Sequence, residues 1–271
     1  MNRVLIELEI GDFLLSVSSY RFFGFLGALF FLFVLLKILH KNELSVTVSI
    51  FSALLVATSF LIGSRLLYSI LFIDKVIENP SILFATRYIN FSLFGGLGLS
   101  ALAIWLVTRW KGLFFFKITD SLVPYAAFSL ILFRVGCFLN GCCFGKTTDV
   151  AWGVIFPEGS LAHRAQLISN PFSVLSPIKP VHPTQIYEII GIAFAIIIAW
   201  IVMKRYKITG IFTAMFVALY TTVRLVLYFF RYYPESITWV QLLQAPVMYG
   251  LVIVISFLLI PLLKRKNLYV S

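Results

Sequence analysis

The amino-acid sequence predicts an all-α integral membrane protein with seven transmembrane helices. Three observations lead there. Only 12% of the residues are charged and 61% are hydrophobic, whereas a soluble domain carries about 25% charge. Several apolar runs approach or exceed the ~18 residues that let a helix cross a bilayer. The basic residues gather between those runs, which is the pattern of membrane loops. The net charge of +11 is therefore read as a membrane signature, and no nucleic-acid partner is expected. The same figures disfavour a soluble protein with an outsized core.

The N-terminal stretch MNRVLIELEIGDFLLS sets Glu7, Glu9 and Asp12 against Arg3. It lacks the basic start of a cleavable signal peptide and is expected at the outer face, along the membrane surface. Helices are predicted at roughly 21–39, 46–73, 91–108, 119–139, 183–203, 208–230 and 241–263. No internal repeat or low-complexity segment interrupts them. Lys37 and Lys41 follow the first helix, and Arg109, Lys111 and Lys117 separate the third and fourth. Lys204, Arg205 and Lys207 separate the fifth and sixth, and Lys264, Arg265 and Lys266 follow the seventh. With seven crossings all four groups share one side. The positive-inside rule makes that side cytoplasmic, with the N-terminus outside and the C-terminus cytoplasmic. The connection at 140–181 is the longest and is rich in Gly, Pro, Ser and Asn. It is expected to form a small extracytoplasmic head within a single membrane domain, 1–271, because long structured loops are usually functional. Its segment AWGVIFPEGS reads as a short strand and turn.

Polar residues inside apolar runs come next. Charges there are costly and usually face a cavity or a partner. Arg65, Asp120, Arg134, Glu188 and Arg224 qualify, with His182 at a helix start. Any one of them is also explained by an ion pair or a snorkelling end, and Asp120 beside Lys117 reads that way. Three arginines against two acids, however, leave positive charge for an anion to meet. The abundant anion of a bilayer is phospholipid phosphate, which suits the planar guanidinium fork. In VHPTQIYEII, Pro183 fits the first helical turn, His182 the cap, and Gln185 the first turn beside unpaired amides. Glu188 follows three residues later on the same face. The plainer reading of this stretch is a capped helix start with a solvated histidine. In LYTTVRLVLYFFRYY, Tyr220, Arg224, Tyr228 and Arg231 form one polar stripe, with Arg231 read as a snorkelling end.

All three cysteines lie in RVGCFLNGCCFGK. The spacing of Cys137, Cys142 and Cys143 matches no common zinc or thioredoxin pattern, and no histidine stands nearby at ligand spacing. Three readings remain: small residues packing a glycine-rich turn, which is preferred; a disulfide at an oxidising face; and a metal or redox centre. Gly136, Gly141 and Gly145 favour close backbone approach. No metal site and no cofactor is expected.

The stretch FRVGCFLNGCCFGKTTDVAWGVIFP, followed by HPTQIYE, carries an ordered pattern. Gly63, Arg65 and Tyr68, Gly95 and Gly96, Asp120, Gly210, Tyr220, Arg224 and Gln241 extend it across nearly the whole chain. Together they resemble the bacterial prolipoprotein diacylglyceryl transferase family. Its pattern runs Gly-Arg-x-Gly-Asn-Phe-x-Asn-Gly-Glu, then Gly-Arg, Trp-Gly and Pro, and His-Pro-Ser-Gln-Leu-Tyr-Glu. The resemblance implies transfer of the diacylglyceryl group of phosphatidylglycerol to the lipobox cysteine thiol of a secreted precursor. It also implies a bacterial cytoplasmic (inner) membrane location and no cofactor. It marks Arg134, His182, Glu188 and Arg224 as catalytic. It marks Arg65, Gly95, Gly96, Asn140, Gly141, Gln185, Tyr187 and Tyr220 as substrate-binding. The chain departs from the pattern at Phe23, where the family has tyrosine, and at Phe94, where it has histidine. Cys137 replaces asparagine, and Cys142 and Tyr228 replace glutamates. Two further classes stay open: a phospholipid-binding protein without catalysis, and a thiol-based membrane redox protein.

Overall fold

Length and apolarity alone dictate the main elements. The computed structural model describes residues 4–10, 13–83, 92–169, 178–233 and 239–267. Among them, seven helices are long and apolar enough to cross a membrane. They are α1 (Ser19–Lys41), α2 (Val46–Leu71), α4 (Leu93–Trp110), α5 (Phe115–Asn140), α7 (Thr184–Tyr206), α8 (Ile211–Phe230) and α9 (Trp239–Asn267). Two short helices that the sequence did not suggest lie between them, α3 (Ile73–Glu78) and α6 (Leu161–Ser169). The chain is a multi-pass membrane protein. Leu61, Ile70, Ile190, Phe194, Ile197 and Phe229 are among the many large apolar side chains left exposed. In water such a surface would drive association; in a bilayer it is the lipid face.

The helix ends have local causes. The Ser45 hydroxyl accepts the Val48 N–H and starts α2, a conventional N-cap. α7 ends at Lys207 in the left-handed conformation, and α8 begins after Gly210 at φ +92°. One end differs from expectation. Pro183 is the cap of α7, and His182 lies outside the helix. The reason is backbone pairing: His182 donates its N–H to the Lys146 carbonyl and accepts from the Gly145 N–H, at 3.0 and 2.9 Å.

An N-terminal hairpin adds to the helical expectation. β1 (Val4–Ile10) pairs antiparallel with β2 (Phe13–Ser18), Ile10 opposite Phe13 and Val4 opposite Ser18. The alternation in VLIELEI is the period-two pattern of a strand. Arg3, Asp12, the expected helix start at 91 and positions 170–177 of the head lie outside the described residues.

The chain forms two compact units, residues 1–31, 123–238 and 246–271 in one and 32–122 and 239–245 in the other. In the first, α5, α7 and α8 share a core of Ala127, Ile192, Ala195, Ala199, Phe212, Phe216 and Tyr220. The α5–α7 connection has its own small core of Phe144, Phe156, Ala162 and Val181. Its expected strand reduces to isolated bridges, Val154 and Thr147 each with Val181. In the second unit α2 and α4 cross closely. A Cβ on Gly63 would meet the Gly95 carbonyl, one on Gly95 the Gly63 carbonyl, and one on Gly96 the Ser64 hydroxyl. Small residues that let helix backbones touch are the usual membrane packing device.

Candidate active site

The first unit brings its deep charges together. Arg134 on α5 is 4% exposed and Glu188 on α7 is also 4% exposed. Arg224 on α8 donates from Nη1 to both Glu188 oxygens, at 3.3 and 3.1 Å. Arg134 Nε stands 3.0 Å from Glu188 Oε1. The buried Tyr220 hydroxyl donates to the same oxygen at 2.9 Å. Arg224 Nη2 donates to the Tyr249 hydroxyl on α9 at 3.2 Å. The spacing of Tyr220 and Arg224, one helical turn apart, lets both reach one carboxylate.

The group is not neutral. Two guanidiniums meet one carboxylate, leaving a net positive charge in a low-dielectric setting. The N–H bonds at Arg134 Nε and Arg224 Nε are buried and make no hydrogen bond. Arg134 Nε is close to Glu188 but out of line with it. A buried donor left unmade costs about 1–3 kcal/mol, more when charged. An excess positive charge with the Arg224 Nε–H left over is an arrangement suited to an anion.

A cleft opens beside them, lined by Thr184, Glu188, Arg224, Tyr228, Arg231 and Tyr233. Arg231, read from the sequence as a snorkelling end, faces this cleft. Its backbone pairs with Gly145, and Phe230 accepts the Lys146 N–H at 2.9 Å. Tyr249 is a further residue that sequence reasoning missed. Its signal was a lone tyrosine in the apolar run of α9.

His182 belongs to a separate chain of contacts. The Tyr187 hydroxyl lies 3.2 Å from His182 Nδ1 and accepts the Trp152 indole N–H at 2.7 Å. The His182 ring also packs edge-on against Phe230. Gln185 donates to the Cys142 carbonyl at 2.6 Å, and Thr184 donates to the Cys143 carbonyl at 2.6 Å. Asn140 and Gly141 line a different cavity of about 280 Å³ with Phe156, Glu158, Ser160 and Arg164. Arg65, Gly95 and Gly96 lie in the second unit, the glycines at the α2–α4 crossing.

The three sulfurs converge, all within 4.8 Å of one another, and none is in a disulfide. Arg134 Nη1 stands 3.9 Å from Cys137 Sγ. Hydrogen bonds from Cys137 and Cys142 hold the Cys143 thiol well below its usual range in spite of burial.

Comparison with known proteins supplies relatives. The family described as prolipoprotein diacylglyceryl transferase matches residues 6–263. A phosphatidylglycerol–prolipoprotein diacylglyceryl transferase of Pseudomonas paraeruginosa is 30% identical over 179 residues, 65% of this chain and 60% of that protein. The enzyme of the same name from Proteus mirabilis is 34% identical over 181 residues, 63% and 60% of the two chains. That of Clostridium tetani is 31% identical over 177 residues, 65% of each. The chain thus spans about 60% of the length of the first curated relatives that it matches.

Proposed function

The chain belongs to the prolipoprotein diacylglyceryl transferase family, and from that premise we propose that it transfers diacylglyceryl from phosphatidylglycerol to a lipobox cysteine. The observation that carries the reading is the buried Arg134–Glu188–Arg224 group, with its net positive charge and the Nε–H of Arg224 left without a hydrogen bond. In the reaction a sulfur–carbon bond forms at the glyceryl carbon and the carbon–oxygen bond to phosphate breaks. Glycerol 1-phosphate departs. The attacking thiol gives its proton to a base.

The phosphodiester of the lipid offsets the excess charge of the two arginines. As the bond breaks, further negative charge grows on the leaving phosphate. Donors aimed at developing charge in a dry site are the most effective kind of catalytic group. Arg134, Arg224 and the cleft residue Arg231 take that role. Glu188 accepts from Arg224 and Tyr220 and sits against Arg134, so it serves as the anchor that aims the arginines. The base is His182, whose ring is held at Nδ1 by the Tyr187 hydroxyl and takes the thiol proton on a ring nitrogen. The precursor's signal peptide and phosphatidylglycerol are the partners. The bacterial inner membrane is the location, with the N-terminus and the α5–α7 connection outside.

A second reading, a phospholipid-binding protein without transfer, draws on Phe94, Cys137, Cys142 and Tyr228 standing at motif positions. One assay separates the two. Purified protein is given phosphatidylglycerol labelled in its diacylglyceryl part and a lipobox peptide. Label on the peptide cysteine supports transfer; lipid retained without labelled peptide supports binding alone.

A further inference from the structure

The three thiols have no part in the chemistry above, and their convergence has a specific backbone cause. The last turn of α5 closes as a Schellman motif. Gly141 at φ +68° donates its N–H to the Phe138 carbonyl at 3.1 Å, and Cys142 donates to the Cys137 carbonyl at 3.1 Å. This closure sets the residue after the left-handed position beside the one five earlier, here Cys142 beside Cys137. Cys143 then takes φ +61°, a conformation that L side chains other than asparagine and aspartate rarely adopt. Strain of this kind persists where surrounding contacts over-determine it, and it collects at functional sites. The contacts are present: Gln185 and Thr184 hold the carbonyls of Cys142 and Cys143 from the first turn of α7. A packing role requires neither the strained cysteine nor a third sulfur.

We propose that Cys137, Cys142 and Cys143 bind one soft monovalent metal ion, Cu(I), through three sulfurs. The donor set selects the ion. Thiolates favour soft metals, and among the described residues no histidine, aspartate or glutamate joins the group. A closed zinc site takes four ligands, whereas Cu(I) is content with three. The geometry agrees. An ion about 2.3 Å from each of three sulfurs needs them about 4 Å apart, close to the spacing within 4.8 Å found here. Cys137 is fully buried and the other two are half-buried, so the site is screened from water but opens toward the loop. Arg134, 3.9 Å from Cys137 Sγ, offsets part of the negative charge of a three-thiolate centre. The sequence expectation of no metal site rested on spacing. Spacing does not register a left-handed turn that folds the pair at 142–143 back onto the helix.

The test uses the full chain in detergent, reduced and without oxygen, titrated with Cu(I) against a chromogenic Cu(I) chelator. One ion per chain is expected, with X-ray absorption showing three sulfur neighbours at about 2.3 Å. One equivalent of Cu(I) should protect all three thiols from iodoacetamide, counted by mass, a readout that needs no variant. Cys137→Ser, Cys142→Ser and Cys143→Ser should each lower affinity by more than the ~100-fold that loss of a supporting partner costs a metal site. Reduced wild-type protein that loses copper to the chelator, thiols left unprotected, affinity unchanged in the three variants, or preferential Zn(II) binding would each overturn the proposal. None of these readouts is transfer activity, so the result stands apart from that of the proposed reaction.

Discussion

Arg224 reaches Glu188 through a single nitrogen: Nη1 donates to Oε2 at 3.1 Å and to Oε1 at 3.3 Å. A side-on fork would have engaged Nε as well. The end-on approach leaves the Arg224 Nε–H buried and without a hydrogen bond, in a side chain that lines the cleft. Arg134 repeats the theme, with Nε near Glu188 but out of line with it. One carboxylate thus holds two arginines and leaves their group with a net positive charge.

Removing either arginine should therefore cost rate far more than lipid affinity. Arg134→Ala and Arg224→Ala are each expected to lower kcat about 100- to 1,000-fold, the usual price of one donor to developing negative charge. Lysine should restore little, because an ammonium lacks the planar fork. Single-turnover transfer with labelled phosphatidylglycerol measures this. An alanine variant with wild-type kcat would remove that arginine from the mechanism.

Glu188→Gln tests the anchor. Breaking a buried ion pair by removing one partner costs about 3–5 kcal/mol, so the variant should melt at a lower temperature in detergent. It also raises the net charge of the group, so anions should stabilise it more than they do the wild type. Melting curves with and without phosphatidylglycerol would show the lipid recovering much of the loss, since a ligand that binds only the folded state stabilises it. Equal lipid stabilisation of variant and wild type would argue against an anion site here.

The seven spans were legible because run length and apolarity are one-dimensional properties, and all seven helices start within four residues of the roughly placed positions. The depth of Arg134, Glu188 and Arg224 was legible for the same reason. Their meeting was not, because it depends on how α5, α7 and α8 pack. Tyr249 was missed because a lone tyrosine inside the apolar run of α9 does not say which way it faces, and Arg231 was read as a snorkelling end because the sequence does not say which way a side chain turns at the end of a helix. The hairpin was visible in the alternation of VLIELEI but was outweighed by the apolar runs after it. Gly95 and Gly96 were read as binding residues from motif position; that they also sit at a helix crossing depends on how α2 and α4 pack and could not be read from the sequence.

That crossing gives a stability prediction. A methyl on Gly63 or Gly95 would run into the backbone of the facing helix, while Gly98 on the same helix has nothing within 4 Å. Overpacking of this kind costs about 1–3 kcal/mol. Gly63→Ala and Gly95→Ala should lower the melting temperature. Gly98→Ala should be neutral or stabilising, since alanine is the better helix former by about 1 kcal/mol. Thermal unfolding of the three variants in one detergent decides the matter; similar effects in all three would show that close approach is not what matters.

The Tyr187 hydroxyl separates orientation from structure at His182. It accepts the Trp152 N–H and sits 3.2 Å from His182 Nδ1, so it ties the orientation of the imidazole to the Trp152 side chain. His182→Gln should remove most of the rate, on the order of the 100- to 10,000-fold that a general base contributes. Tyr187→Phe keeps the ring and its packing but loses the hydroxyl. It should lower kcat less than His182→Gln does and leave the KM for phosphatidylglycerol near that of the wild type. A role confined to packing would lower the melting temperature and leave kcat in place. Wild-type kcat in His182→Gln would assign the base to another residue.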